Sequence, residues 1–339
     1  MKKLKQKNIR KFGVKAANFS GITRIEGNRY AVVDDKETTD GFMFLDIDID
    51  TKNGKVRDVS YAEPSGFIDR KSNIESIDRD CEGIAYCKQS NTLFVTGEKD
   101  QRIMEYDLNG NPTGRELDIP DFMSVQNIVG NYGFEALSYN EQEETFWTTT
   151  EATLKSDGQK SSLKNRDVQN RLRILSFGSD LKPAMMFAYQ MDRMEAKAKK
   201  GNHVHGVPAM LALNDGRLIV MEREACVRRN YIGSFCRIKL YEVRPEADKA
   251  LPYSVVLSEL TDNQFLGKRL LYKFTTHVSF VWNFANYEGM CLGPKLDDGR
   301  QTLVLICDSQ GGRGNSFYRL KDYIKVLILS NDYKASINL

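Results

Sequence analysis

The sequence predicts an all-β chain folded as a single β-propeller over residues 1–339, with four-stranded antiparallel blades. The expected count is six, with five or seven left open. Three observations carry this reading: a short motif recurs along the chain, one copy resolves into a four-stranded meander, and helix-forming stretches are few and short. The motif reads Glu, small residue, apolar pair, polar turn, apolar strand, acid. DCEGIAYCKQSNTLFVTGE from Asp80, GFEALSYNEQEETFWTTTE from Gly133 and NYEGMCLGPKLDDGRQTLVLICD from Asn286 fit it in full. Copies from Asn18 and His205 carry Ser20 and Pro208 where the first acid belongs. The intervals vary from about 50 to about 80 residues, as one supersecondary unit with loop insertions would give.

The copy from Asp80 defines the unit. GIAYC, TLFVT, RIMEYDL and RELDI are short runs of β-forming residues separated by QSN, GEKDQ and NGNPTG, which favour turns. The long interval between His205 and Asn286 holds RIKLYEV, YSVVLSEL and RLLYKF, strands enough for the sixth blade. YIKVLIL near the C-terminus and a strand near Phe12 to Ala16 are expected to close the ring. In LDIDIDTKNG the Asp spacing resembles a calcium loop, but Thr51 and Arg57 stand where Gly and Glu are required, so an alternating strand burying Ile47 and Ile49 is expected. Segments 156–170 and 192–204 read as rim insertions. The first is polar enough to be mobile, and the second is helical near Met194 to Lys200. Residues 61–79 read as a linker.

Composition removes several function classes. The chain has 339 residues, with 49 Lys and Arg against 46 Asp and Glu spread along its length, so no concentrated basic face marks a nucleic-acid partner. No apolar run reaches the length of a membrane span. The cationic N-terminus lacks the apolar segment of a signal peptide. Cys81, Cys87, Cys226, Cys236, Cys291 and Cys307 lack zinc-site spacing, and buried free thiols are favoured over disulfides across the 226/236 and 291/307 hairpins. His203 and His205 lack an identifiable third ligand, and a solvated loop is favoured for them. GGRGN after Asp308 reads as a turn, and a monomer is expected.

The repeated acids acquire a role from propeller geometry. Within each full copy the first acid precedes the innermost strand and the second ends the next strand, so both return to one end of the hairpin. Glu82 with Glu98, Glu135 with Glu151, and Glu288 with Asp308 thus meet at one mouth of the channel. Asp34 or Asp35 and Glu222 are expected to join them from the weaker copies. Crowded carboxylates bind hard cations such as Ca²⁺, share protons, or pair with bases. Lys36, Lys99 and Arg223 directly follow Asp35, Glu98 and Glu222, and Arg79, Lys99, Arg223 and Arg313 are candidates to bind an anionic substrate. Alternatively, such acids accept backbone N–H groups between blades, and the propeller binds a glycan, protein or other small ligand without chemistry. Tyr132, Phe134, Trp147, Trp282 and Tyr287 suit ligand stacking or, preferably, packing between blades.

DCEGIAY, GFEALSY and NYEGMCLGP, each followed by a strand-ending acid in VTGE, TTTE and LICD, resemble the phytase-like family with esterase-like activity, over about residues 18 to 330. The resemblance implies a repeated-acid propeller of bacterial, exported (periplasmic or extracellular) type that hydrolyses a phosphoric ester on a phosphorylated small molecule. It also implies that Glu82, Glu98, Glu135, Glu151, Glu222, Glu288 and Asp308 are the family's repeated acids and hold Ca²⁺. Glu82, Glu135 and Glu288, with Arg79 and Arg223 on the phosphate, are then the expected catalytic set.

Overall fold

The computed structural model describes residues 1–35, 41–63, 67–69, 79–197, 201–278, 282–316 and 318–333. The expected Lys36 counter-ion and most of the 61–79 linker lie outside these residues. Five antiparallel sheets form a propeller of five blades. Their innermost strands are Phe19–Glu26, Cys81–Cys87, Phe134–Asn140, Asn202–Ala212 and Asn286–Lys295, so every recurrence of the motif opens a blade. These strands neighbour one another in sequence order, and the fifth returns to the first. Apolar clusters fill the wedges between blades. Phe94, Phe134 and Phe146 pack between the second and third, and Trp147, Phe187 and Tyr241 between the third and fourth.

The sixth blade is absent because its residues have other places. RIKLYEV lies in Phe235–Val243 and RLLYKF in Lys268–His277, the third and fourth strands of the fourth blade. Residues 244–267 between them form a crossover that lies along the third blade, where Leu251 and Leu266 N–H groups donate to the Met186 and Ala188 carbonyls. The buried pair Arg173–Asp157, 2.6 Å apart, fixes the crossover, since Arg173 also donates to the Tyr253 carbonyl and Asp157 accepts from Leu257 N–H.

The segment that edges the last blade is Lys2–Lys3 and Lys7–Asn8, not the expected strand near Phe12 to Ala16. Tyr323–Ile328 is the third strand of the fifth blade, and Lys2–Lys3 and Lys7–Asn8 pair with it as the outer edge. Ile9–Phe12 is a 3-10 turn, since the Asn8 side chain accepts from Arg10 N–H and Gly13 ends it in the left-handed region. Ile47 and Ile49 are buried in Gly41–Ile49, as the alternation predicts.

Both insertions differ from expectation. Residues 156–170 are pinned by Asp157, Ser161 and Asn170, all buried. Residues 192–197 are not helical because their amides go elsewhere: Asp192 N–H to the Glu222 carboxylate, and Glu195 and Ala196 N–H to Glu224. His203 and His205 sit in a strand instead of a solvated loop. All six cysteines are buried free thiols, and 311–312 form a turn. Among the described residues no helix is long and apolar enough to cross a membrane.

A close approach explains the small residue of the motif. A Cβ on Gly21 would lie 2.3 Å from the Glu82 carbonyl oxygen, one on Gly83 2.4 Å from that of Glu135, and one on Gly289 2.3 Å from that of Ser20. The first, second and fifth inner strands therefore touch the backbone of the next at the residue after the motif's first position. Gly83→Ala is expected to destabilise the fold by about 3 kcal/mol, measured by urea unfolding, because backbone must move to admit the methyl. An unchanged midpoint would contradict this contact.

Candidate functional site

The bulges and registers of the blades set which side chains face the channel. In every inner strand the register shifts at the motif, between Phe19 and Ile22, Cys81 and Ile84, Phe134 and Ala136, Gly206 and Ala209, and Tyr287 and Gly289. A bulge re-aims a side chain, and here it re-aims Glu82, Glu135 and Glu288. Beyond the bulge, Glu98 N–H donates to the Asp80 carbonyl, Glu151 N–H to Gly133 and Asp35 N–H to Asn18, while Asp308 pairs with Asn286. The corresponding pair in the fourth blade is Gly206 with Arg223.

Arg223 thus occupies the strand-ending position that is acidic in the other four blades. Its guanidinium lies 2.7 Å from Glu151 Oε1 and 3.8 Å from Glu135 Oε2, and it contacts Glu288 Oε1 directly. Glu222, one residue earlier, faces away from this group. It accepts from Tyr189 O–H at 2.7 Å and Lys268 Nζ at 2.6 Å, and is the one expected acid that the structure leaves outside the cluster. Of the two candidates in the first blade, Asp35 joins the mouth, whereas Asp34 accepts from the Asn18 backbone and side chain.

The remaining acids act on one another across the same mouth. Ser20 donates to Glu82, Gly133 N–H to Glu98 at 3.0 Å, Asn286 Nδ2 to Glu288 at 2.8 Å, and Gln310 N–H to Asp308. Carboxylate oxygens of Asp35, Asp80 and Glu82 lie within 4.8 Å of one another. Asp80 is the site residue that sequence reasoning did not single out. Its backbone lies in the left-handed region, at φ 54°, so strand alternation does not link it to Glu82 in the sequence.

Burial, then the neighbouring Asp35, Glu288 and Glu98, push the Glu82 carboxyl well above the usual range. Burial with Glu151 and Glu82 does the same to Glu135, and burial with Glu288 and Asp35 to Asp308. Burial alone would pull the Arg223 guanidinium down, but Glu288, Glu151 and Glu135 reverse that and hold it charged. The mouth is short of positive charge.

The other candidate cations are placed differently. Arg79 is spent within its own blade, on Asp100 at 2.6 Å, Tyr106 O–H at 2.9 Å and the Arg102 carbonyl at 2.8 Å. Lys99 reaches the edge of the mouth, 3.7 Å from Asp80. Arg313 is exposed on its turn. Phe134, Trp147 and Tyr287 are core residues, whereas Trp282 is exposed. Farther along the inner strands, a cavity of about 390 Å³ opens at the opposite end of the channel, lined by Ile22, Ile84, Leu137, Met290, Tyr86 and Tyr139.

Two outcomes follow from the arrangement. Arg223→Met is expected to cost about 3–5 kcal/mol in urea unfolding, by stranding Glu151 and Glu288, and Glu151→Gln in the same chain to recover part of it. Additive losses would show that the pair does not interact. His205, buried 2.8 Å from Ser161 Oγ, is pushed down to about 4 by burial. A base whose folded value is lowered contributes stability that is complete above its ordinary value and is lost as pH falls. His205→Gln is therefore expected to remove about 3 kcal/mol of the acid destabilisation between pH 6.5 and 4, read as the difference between the two proteins' urea midpoints.

Comparisons with known proteins place this site in context. No curated protein matches the sequence. Among solved structures, an endo-arabinase from Bacteroides thetaiotaomicron VPI-5482 is similar at 12% identity and a TM-score of 0.45, over 96% of this chain and 97% of that one. A streptogramin B lyase is similar at 12% identity and a TM-score of 0.37, with the same coverage. The family model for phytase-like proteins, described as esterase-like activity of phytase, matches residues 15–310 and so spans all five copies of the motif. The chain belongs to the phytase-like family.

Proposed function

We propose that this propeller hydrolyses a phosphoric ester at its carboxylate mouth with Ca²⁺ as the metal. The observation that carries the reading is the charge imbalance there: carboxylates from four blades share the mouth, while Arg223 pairs with Glu135, Glu151 and Glu288 alone and Lys99 sits at the edge. The donor set fits a hard divalent cation. Asp35, Asp80 and Glu82 offer carboxylate oxygens within 4.8 Å of one another. Asp35, Asp80 and Glu82 would hold the ion, with Glu98, Glu288 and Asp308 beside them. Bound there, it supplies charge that neutralises phosphoryl oxygens and acidifies water.

The chain's own residues position and protonate. Arg223 fixes Glu151 and Glu288 in one geometry, and the Ser20 hydroxyl orients Glu82. Glu135, its carboxyl raised by burial and by Glu151 and Glu82, retains a proton and is the donor to the leaving oxygen. Glu288, held as a carboxylate by Arg223 and Asn286, is the acceptor for the proton of the attacking water.

A second reading, a propeller that binds a small ligand without chemistry, draws support from the cavity of about 390 Å³ at the opposite end. Melting in EDTA and in Ca²⁺, alongside turnover of a generic phosphomonoester and a phosphodiester, separates the two. Saturating Ca²⁺ is expected to raise the melting temperature by roughly 5–10 °C. Glu82→Gln is expected to abolish both that rise and turnover. Stabilisation without turnover leaves the binding reading, and no response to Ca²⁺ sinks the metal-assisted one.

A further inference from the structure

One cation beside the mouth lies in a segment that the repeat does not include. Lys160 stands in the 156–170 insertion, half-buried, with its ammonium 3.6 Å from the centre of the Tyr132 ring. Among the described residues no carboxylate lies within ion-pair distance of it, whereas Lys99 is paired with Asp80 and Arg223 with three glutamates. A half-buried ammonium held over an aromatic face and free of an acid keeps its hydrogen-bonding capacity for something that arrives.

The insertion is built to hold Lys160 in place. Asn165 Nδ2 donates to the Lys160 carbonyl at 2.8 Å, and Ser161 N–H donates to Asn170 Oδ1 at 2.8 Å. Asn170 Nδ2 donates in turn to the His205 carbonyl at 2.7 Å, and Ser161 Oγ lies 2.8 Å from His205 Nδ1. His205 precedes Gly206, whose Cα packs so closely on Glu151 that an added Cβ would lie 2.4 Å from its Cγ. The loop is therefore bolted to the fourth blade beside the acid that Arg223 binds. Tyr132 belongs to the same surface: Glu151, Arg223, Glu135 and Glu98 all act on its hydroxyl.

We propose that Lys160, carried on the Tyr132 ring, is the anion-binding arm of the mouth and takes the phosphoryl oxygens that the carboxylates would repel. The inference rests on the mouth being an ester-binding site. It narrows the substrate class to phosphomonoesters, whose second negative charge gains more than the single charge of a diester from a lysine on the Glu151 side of the mouth facing a cation-binding site on the other. Lys160 is also a binding group that leaves Arg223 to its structural pairs.

The test uses inorganic phosphate, kept below the precipitation limit of calcium phosphate, and titration calorimetry on the full chain with Ca²⁺. Lys160→Met is expected to weaken phosphate binding roughly tenfold or more, and Lys160→Arg to restore most of it. Tyr132→Leu is expected to give an intermediate loss, with the Ca²⁺-dependent rise in melting temperature kept in all three. Equal phosphate affinity in Lys160→Met and the unaltered protein, or no phosphate binding by the latter, overturns the inference. The two readings fail separately. Phosphate binding that depends on Lys160 without turnover removes the hydrolase but keeps the arm. Turnover with KM unchanged in Lys160→Met removes the arm but keeps the hydrolase. With turnover present, a phosphodiester preferred over a monoester overturns the substrate assignment.

Discussion

The contact between the backbone of one inner strand and the motif glycine of its neighbour governs much of this molecule. Gly21, Gly83 and Gly289 each meet a carbonyl of the adjoining blade at a distance that leaves no room for a Cβ. That approach draws successive blades together at the level where the register shifts, and the shifted residue is the one whose side chain turns into the mouth. The Glu-Gly pair in CEGIAY and YEGMC is thus a single device, in which the glycine brings the strands together and the glutamate occupies the space they enclose. Charge crowding follows from the packing, and Arg223 follows from the crowding.

The fourth blade departs from the pattern at both motif positions. Pro208 takes the place of the first acid, and Arg223 the place of the second. With an acid there, the ring would hold carboxylates from every blade and no internal cation. With arginine there, Glu151 and Glu288 are neutralised from within, and the excess negative charge shifts toward Asp35, Asp80 and Glu82 on the far side. A pseudosymmetric ring thereby acquires a polarity, with an internally paired side and an open one.

Much of this was legible in the sequence, for identifiable reasons. The five inner strands are readable because the bulge recurs in all of them and a small residue follows the motif's first position each time, glycine in three with its close contact and alanine in two. The blade count was overestimated because strand-forming runs in the fourth blade are long and its third and fourth strands are separated by the 244–267 crossover, which packs on the third blade. In MEREA, alternation alone cannot choose between Glu222 and Arg223, and only the pairing of Gly206 with Arg223 fixes which one faces the channel. Arg79 was misplaced because a guanidinium next to an acid motif reads the same whether it points to the mouth or to Asp100 and Tyr106. The order in 156–170 was hidden because it depends on Asn170 and Ser161 reaching a histidine 35 and 44 residues away in sequence.

The edge that closes the ring has a consequence for biosynthesis. Lys325 Nζ donates to the Leu4 carbonyl, 321 residues away in sequence, and the outer edge of the last blade is made from Lys2–Lys3 and Lys7–Asn8, which precede all five blades. During vectorial synthesis the first four blades can assemble as they emerge, while the initial segment waits unpaired until the final strands appear. The open flank of Tyr323–Ile328 is then a template for any extended peptide, and a second copy of the initial segment competes with the first for it. The last blade therefore gains its outer partner only after its own third strand has been made.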